Sequence, residues 1–209
     1  MRFEARLNDM ISQILTLGRL ESDSASPQTT IELSMLLQET VVDSDFEARS
    51  MERSVIVVIS EPLLVRANTS LLRSAIENVL RNAIRYTQRG SQVEVSLLAD
   101  SVNEQTIAII QVADHGPGVP VKDLSNIFRP FYRVADARER ETGGVGLGLV
   151  ITDHAIRLYG GTVSARNSPL GGLIVELRIP AISQPNLAST VETLHPIMLV
   201  GCEWQALTK

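Results

Sequence analysis

Apolar residues recur at helical spacing in four stretches of the chain. Residues 2–21 set Phe3, Leu7, Met10, Ile14, Leu17 and Leu20 on one stripe, with Glu4, Arg6, Asp9 and Gln13 elsewhere, which predicts an amphipathic helix that needs a partner. No amphipathic segment precedes it, so the expected partner is another chain or sequence outside these residues. The polar stretch Ser22 to Thr29 reads as a linker. A second helix is expected around Ser34 to Arg53, opened by Ser34 and burying Leu36, Leu37, Thr40, Val41, Phe46 and Ala48. Asn68 or Thr69 would cap a third, running to Tyr86, on which Leu71, Leu72, Ala75, Val79, Leu80 and Ala83 recur. The fourth covers Leu147 to Tyr159 and stops at Gly160-Gly161.

Between the helices lie β-branched or alternating runs. Val55 to Ser60, ended by Pro62, and the shorter Leu63 to Ala67 predict strands. Gln92 to Ala99 and Thr106 to Asp114 flank the polar turn Asp100 to Gln105 and predict a hairpin. Thr162 to Arg166 and Leu173 to Ile179 supply the last strands around the turn Asn167 to Gly172. Leu124 to Phe128 reads as one helical turn, and Val134 to Gly144 as a loop rich in Arg, Glu and Gly. Beyond Pro180 the periodicity fails.

Composition narrows the partners. Hydrophobic residues make up 44% but aromatic ones only 4%, so the core must be aliphatic and each aromatic attracts attention. A net charge of -5 gives no general attraction for nucleic acid or acidic membranes, so any basic site is local. The single Cys202 excludes an internal disulfide. The most apolar run, Val55 to Ile59, is too short to cross a bilayer, and Met1-Arg2-Phe3-Glu4 does not begin a signal peptide. The chain as given is expected to be cytoplasmic, without a nucleic-acid partner.

Three motifs carry candidate chemistry. No G-x-x-x-x-G-K-[ST] loop is present, and Gly143 to Leu149 lacks dinucleotide-loop spacing and follows a charged loop rather than a strand. What remains is a glycine loop opening into a helix, where free N–H groups favour an anion. Asn78 and Asn82 share a helix face, with Arg85 and Tyr86 at its end. As buried amides they need partners, and their oxygens suit a hard cation such as Mg²⁺. In Asp114-His115-Gly116-Pro117-Gly118-Val119 a carboxylate at a strand end could accept an exocyclic amine, while the glycines admit a flat ring. Taken singly, each has a plainer reading as a flexible loop, capping or surface amides, or turn chemistry.

Their order is the specific signal. Asn78…Asn82, Asp114-x-Gly116-x-Gly118, Phe128-Arg-Pro-Phe131-Tyr132-Arg133 and Gly144-x-Gly146-Leu-Gly148-Leu149 resemble the N, G1, F and G2 boxes of sensor histidine kinases, over residues 2 to 180. The strings at Phe128 to Arg133 and Ser168 to Gly172 are similar to those of CpxA-like members. The resemblance implies an α+β two-layer sandwich, the Bergerat ATP-binding fold, with a mixed sheet covered on one face by helices. It further implies a second dimerisation helix over 1–22, a linker over 23–29, an ATP-binding domain over 30–180 and a tail of uncertain role over 181–209.

By the same resemblance the cofactors are ATP and Mg²⁺, with Asn82 as metal ligand. Asn78 stands where related ATPases carry a water-activating Glu, so the site is expected to hold ATP for transfer and to hydrolyse it poorly. Asp114 would bond adenine N6, with Gly116, Gly118 and Val119 around the base. Arg85 would approach the phosphates and Tyr86 line the pocket. Phe128 and Phe131 would anchor a lid beside Tyr132. Arg133, with Arg138 or Arg140, would neutralise phosphate oxygens; Asn78 and Arg133 are the residues placed closest to catalysis. Gly144, Val145, Gly146, Leu147, Gly148 and Leu149 would carry the lid into its helix, with Val145 where Thr is common.

The family's acceptor motif, His-Glu-x-x-x-Pro, does not occur here; His115, His154 and His195 all lie in other settings. The chain is therefore expected to be the C-terminal portion of a longer inner-membrane sensor or a truncated product, touching the membrane only through segments outside it. Expected partners are a second copy or a full-length kinase, through residues 2–21, and a response-regulator receiver domain. Two other readings are a clamp-type ATPase, which Asn78 argues against, and a non-catalytic nucleotide-binding regulator that pairs with a full-length kinase.

Overall fold

The computed structural model describes residues 27–134 and 145–182, together with Gly18. Strand β1 (Thr29–Glu32) runs straight into helix α1 (Leu33–Arg49), followed by β2 (Ser54–Ser60), β3 (Leu64–Ala67) and α2 (Thr69–Tyr86). The hairpin β4 (Gln92–Val102) and β5 (Gln105–Ala113) leads into two 3₁₀ turns, Val121–Asp123 and Asn126–Phe128. Helix α3 (Gly148–Leu158), β6 (Thr162–Asn167) and β7 (Leu173–Ile182) complete the described elements.

The strands form one mixed sheet in the order β1-β3-β7-β5-β4-β2, with β6 also on β7. β7 organises it: one edge pairs with β5, and the other pairs first with β6 and then, at Ala181 and Ile182, with β3. β2 joins β4 in parallel, while the other pairs are antiparallel. Among the described residues, helices α1, α2 and α3 pack side by side, α1 on α2 and α2 on α3, over the sheet. The core is aliphatic, as the composition requires: Leu37, Leu72, Ile76, Leu80, Leu97, Ile110, Ile151, Ile156, Leu177 and Ile179 are fully buried. Each such side chain contributes roughly 1.5–3 kcal/mol by leaving water.

Local bonds place α2 and α3, the helices that matter most for the site. Asn68 caps α2, its Oδ1 accepting the Leu71 N–H at 3.1 Å, while its own N–H donates to the Tyr159 hydroxyl at 3.2 Å. The buried Thr152 Oγ1 lies 3.0 Å from the Ala75 carbonyl and 3.1 Å from that of Gly148, tying α3 to α2 at its first turn.

Several expectations need correction. Thr29 begins a strand, not the end of a linker, and Ser34 does not cap α1: the cap position is the extended Glu32, and the Ser34 hydroxyl donates to its carboxylate at 3.0 Å. Phe46 is 84% exposed. At 100° per residue it sits roughly 180° around the helix from Leu37, whereas Ala48 returns to the buried face. The β4–β5 turn is only Asn103-Glu104, both with positive φ (51° and 65°), the left-handed geometry that matches strand twist in two-residue hairpins. Two 3₁₀ turns replace the single helical turn at 124–128. β7 runs past Pro180 to Ile182, because Pro180 still takes its register position opposite Ile107. Among the described residues no helix is long and apolar enough to cross a membrane. Residues 2–17, 19–26 and 183–209 lie outside the described residues.

Candidate functional site

A cavity of about 530 Å³ opens between the C-terminal half of α2, the loop after β5 and the start of α3. Helix α2 presents Asn78, Arg81, Asn82, Arg85 and Tyr86 to it. Their spacing of three and four residues makes one continuous face. Asn78 is buried and packs on Gly148, where an added Cβ would lie 3.4 Å from Asn78 Oδ1. Asn82 is only half-buried, against expectation, because it faces the cavity and not the core.

At the other end of this face stands Asp114, buried at the tip of β5. Its Oδ1 accepts the N–H groups of Gly116 (2.8 Å) and Leu173 (3.2 Å), which leaves Oδ2 acceptor capacity for a ligand. Burial pushes the carboxyl above the usual carboxylate range, and the two N–H donors oppose that shift without cancelling it. The surrounding backbone is very close. A Cβ on Gly116 would sit 2.5 Å from the Tyr86 carbonyl, and one on Gly172, whose φ is +90°, would overlap the Asp114 carbonyl oxygen. Asn167 then fixes the far side of the loop, accepting the Val119 N–H at 2.9 Å and donating to its carbonyl at 2.7 Å.

The third side is made by Tyr132, Arg133 and Val134 together with Val145, Gly146, Gly148 and Leu149. Phe131 N–H donates to the Gly146 carbonyl at 3.0 Å, which ties these two stretches together. The Tyr132 hydroxyl donates to Asp123 at 2.7 Å, which holds the phenol proton and raises its pKa. Among the described residues, the charged side chains lining the cavity are the cationic Arg81, Arg85 and Arg133 and the acidic Asp114. In a chain of net charge -5 this is a local preference for an anion. No group of three or more His, Cys, Asp or Glu side chains occurs among the described residues, so a cation here would be held by amide oxygens and by the ligand itself.

Residues 67–183 match the model of the histidine kinase-, DNA gyrase B- and HSP90-like ATPase family. The chain belongs to that family. The sensor histidine kinase CpxA of Escherichia coli (strain K12) is 39% identical over 176 residues, 84% of this chain and 37% of CpxA. The sensor-like histidine kinase SenX3 of Mycobacterium tuberculosis (strain H37Rv) is 32% identical over 178 residues, 85% of this chain and 42% of SenX3. The chain thus spans well under half the length of these relatives. Among solved structures, the ATP-binding domain of PrrB from Mycobacterium tuberculosis is similar at a TM-score of 0.59 and 26% identity, covering 76% of this chain and all of that one.

The seven-stranded mixed sheet with helices is the α+β architecture of such ATP-binding domains. Within it the cavity brings together Asn78, Asn82, Arg85, Tyr86, Asp114, Gly118, Val119, Tyr132, Arg133, Val145, Gly146, Gly148 and Leu149. It does not bring in Gly116, which supports Asp114 from behind, nor Leu147, which is in the core. Phe131 is 66% exposed with its backbone in the left-handed region, and Phe128 is half-buried away from the cavity. The aromatics that reach the cavity are therefore Tyr86 and Tyr132. Arg138, Arg140 and Gly144 lie outside the described residues. Sequence reasoning missed Arg81, Ile127, Gly172 and Leu173. Only Arg81 had a local signal, its place on the Asn78–Asn82 face.

Proposed function

We propose that this chain holds Mg·ATP for transfer of the γ-phosphoryl group to a histidine of a kinase dimerisation hairpin, for relay to an aspartate of a response-regulator receiver domain. The observation that carries the reading is one cavity with a buried, half-satisfied carboxyl at one end and two amides with arginines at the other. Asp114 accepts the adenine N6 amine, while the glycine at 116 lets the backbone close around that carboxyl and Gly118 lines the cavity beside it. Asn82, with Asn78 behind it, offers amide oxygens, an arrangement that suits Mg²⁺; the ion when bound supplies positive charge against the phosphate oxygens. Arg85 and Arg133 orient the phosphates and offset charge that grows on the transferred group. Asn78 is a poor base, so water attacking in place of the acceptor is not activated.

His115, His154 and His195 lie outside any His-Glu-x-x-x-Pro setting, so the acceptor imidazole belongs to sequence beyond these residues. The reading therefore includes dimerisation through residues 2–21 with a second copy or a full-length kinase, and a place on the cytoplasmic side of an inner-membrane sensor. The test supplies a dimerisation hairpin separately, with labelled Mg·ATP. Label on the hairpin that is lost with Asn82→Ala supports transfer. Nucleotide binding without label favours a non-catalytic regulator, and steady hydrolysis by the chain alone favours an ATPase clamp.

A further inference from the structure

We infer that the outer ridge of α1 is a contact surface for a second copy of this chain, docked antiparallel so that Val42 of each copy meets Phe46 of the other. Met35 is 59%, Val42 63% and Phe46 84% exposed. Single exposed apolar side chains are ordinary on a protein surface. Here, at 100° per residue, the three fall within about 40° of one another, on the side of the helix opposite the buried Leu37. They make one apolar ridge, which carries one of the four phenylalanines in the chain. A shallow groove runs beside it, between Met35, Glu39 and Val42 of α1 and Arg73 of α2. No residue of α1 lines the nucleotide cavity, so the two surfaces are separate.

Spacing and charge select a second copy as the occupant. Glu39, Val42, Phe46 and Arg49 are three, four and three residues apart, an order that is the same read in either direction. Alternation of three and four is also the seam spacing of two helices packed at about 20°. With the two-fold axis midway between Val42 and Phe46, each Val42 lies against the other copy's Phe46, which enters the groove. The same axis sets Glu39 of each copy opposite Arg49 of the other. Parallel pairing would instead set Glu39 on Glu39 and Arg49 on Arg49. Within the chain Glu39 Oε2 already takes Arg73 at 2.5 Å and Arg49 Nε gives to Asp45 at 2.7 Å, but the two side chains are 62% and 75% exposed and keep atoms for a second partner. Such exposed ion pairs contribute little energy, so the apolar side chains supply the affinity and the charges fix direction and register. Three apolar side chains from each copy make a small interface, hence a reversible one, whose occupancy rises wherever two copies are already held together.

The experiment is site-directed cross-linking of the full chain carrying Cys202→Ser, with Glu39→Cys in one sample and Arg49→Cys in another, using a short bis-maleimide. An equal mixture of the two is expected to give covalent dimer, because positions 39 and 49 meet across the seam. Either sample alone should give little, since like positions lie about 15 Å apart along the axis. Adding Phe46→Ser to both should lower the yield of the mixture about tenfold, with Mg·ATP binding unchanged as the check on folding. Val42→Ser serves in its place if that variant fails to fold. Equal yields from the mixture and the single samples, as from a dimer held only through residues 2–21, overturn the proposal. So does the absence of cross-linked dimer in the mixture, which would leave the ridge to another occupant.

Discussion

The two ends of the cavity are built by different means. At the base end, Asp114 is enclosed by backbone from three elements, β5, β7 and the end of α2, so its surroundings are set by sheet register and by glycines that admit no side chain. At the proposed phosphate end, side chains of α2 and the loop after the 3₁₀ turns line the cavity, and on this reading charge rather than close fit would select the ligand. A site of the first kind fails when single atoms are added or removed. A site of the second kind responds in proportion to charge and ionic strength.

The largest effect should come from adding one carbon at the base end. Gly172→Ala meets both a left-handed backbone and the Asp114 carbonyl, and is expected to cost about 2–4 kcal/mol in denaturant unfolding and to abolish nucleotide binding. If it leaves stability unchanged, the base end is not rigid. Next comes Asp114→Asn, which removes the charged acceptor and should weaken adenine nucleotides by at least about tenfold in titrations.

The same residue gives a pH test. Because its carboxyl is raised by burial, the folded state binds a proton more readily than the unfolded chain. Stability from this group is thus fully present below the ordinary carboxylate pKa and is lost as pH rises through the raised value. Wild type should gain stability relative to Asp114→Asn as pH falls from neutral, while its adenine affinity declines over the same range.

Smaller changes belong to the phosphate end. Asn78→Glu supplies the missing base and should raise steady-state ATP hydrolysis by the isolated chain, read by phosphate release; no rise would mean that the amide is not what limits hydrolysis. Smallest is the salt effect: added salt should weaken Mg·ATP binding but not adenosine binding. Equal sensitivity of the two would erase the contrast between the ends.

The phosphate end was largely legible in the sequence, because Asn78, Asn82 and Arg85 are a helix pattern that periodicity alone puts on one face. The base end was legible only in part. Asp114 and its glycines announce a turn, but the Leu173 N–H and the close approach of Gly172 come from a strand far along the chain, joined by sheet pairing that no local pattern records. Similar limits explain the fold's surprises. β1 is four residues with a single buried position, Ile31, too short for alternation to stand out from a linker. Phe46 fits an apolar roster but not the angle of the buried stripe. The polar Asp100 and Ser101 disguise how far β4 extends.

The central claim is that both ends hold one nucleotide at once. Amide chemical-shift mapping of the full chain during titration with Mg·ATP tests it directly. Gly116, Gly118 and Leu173 at the base end, and Gly146 and Gly148 at the phosphate end, should shift together along one saturation curve. Shifts confined to one end, or different curves for the two, would contradict it.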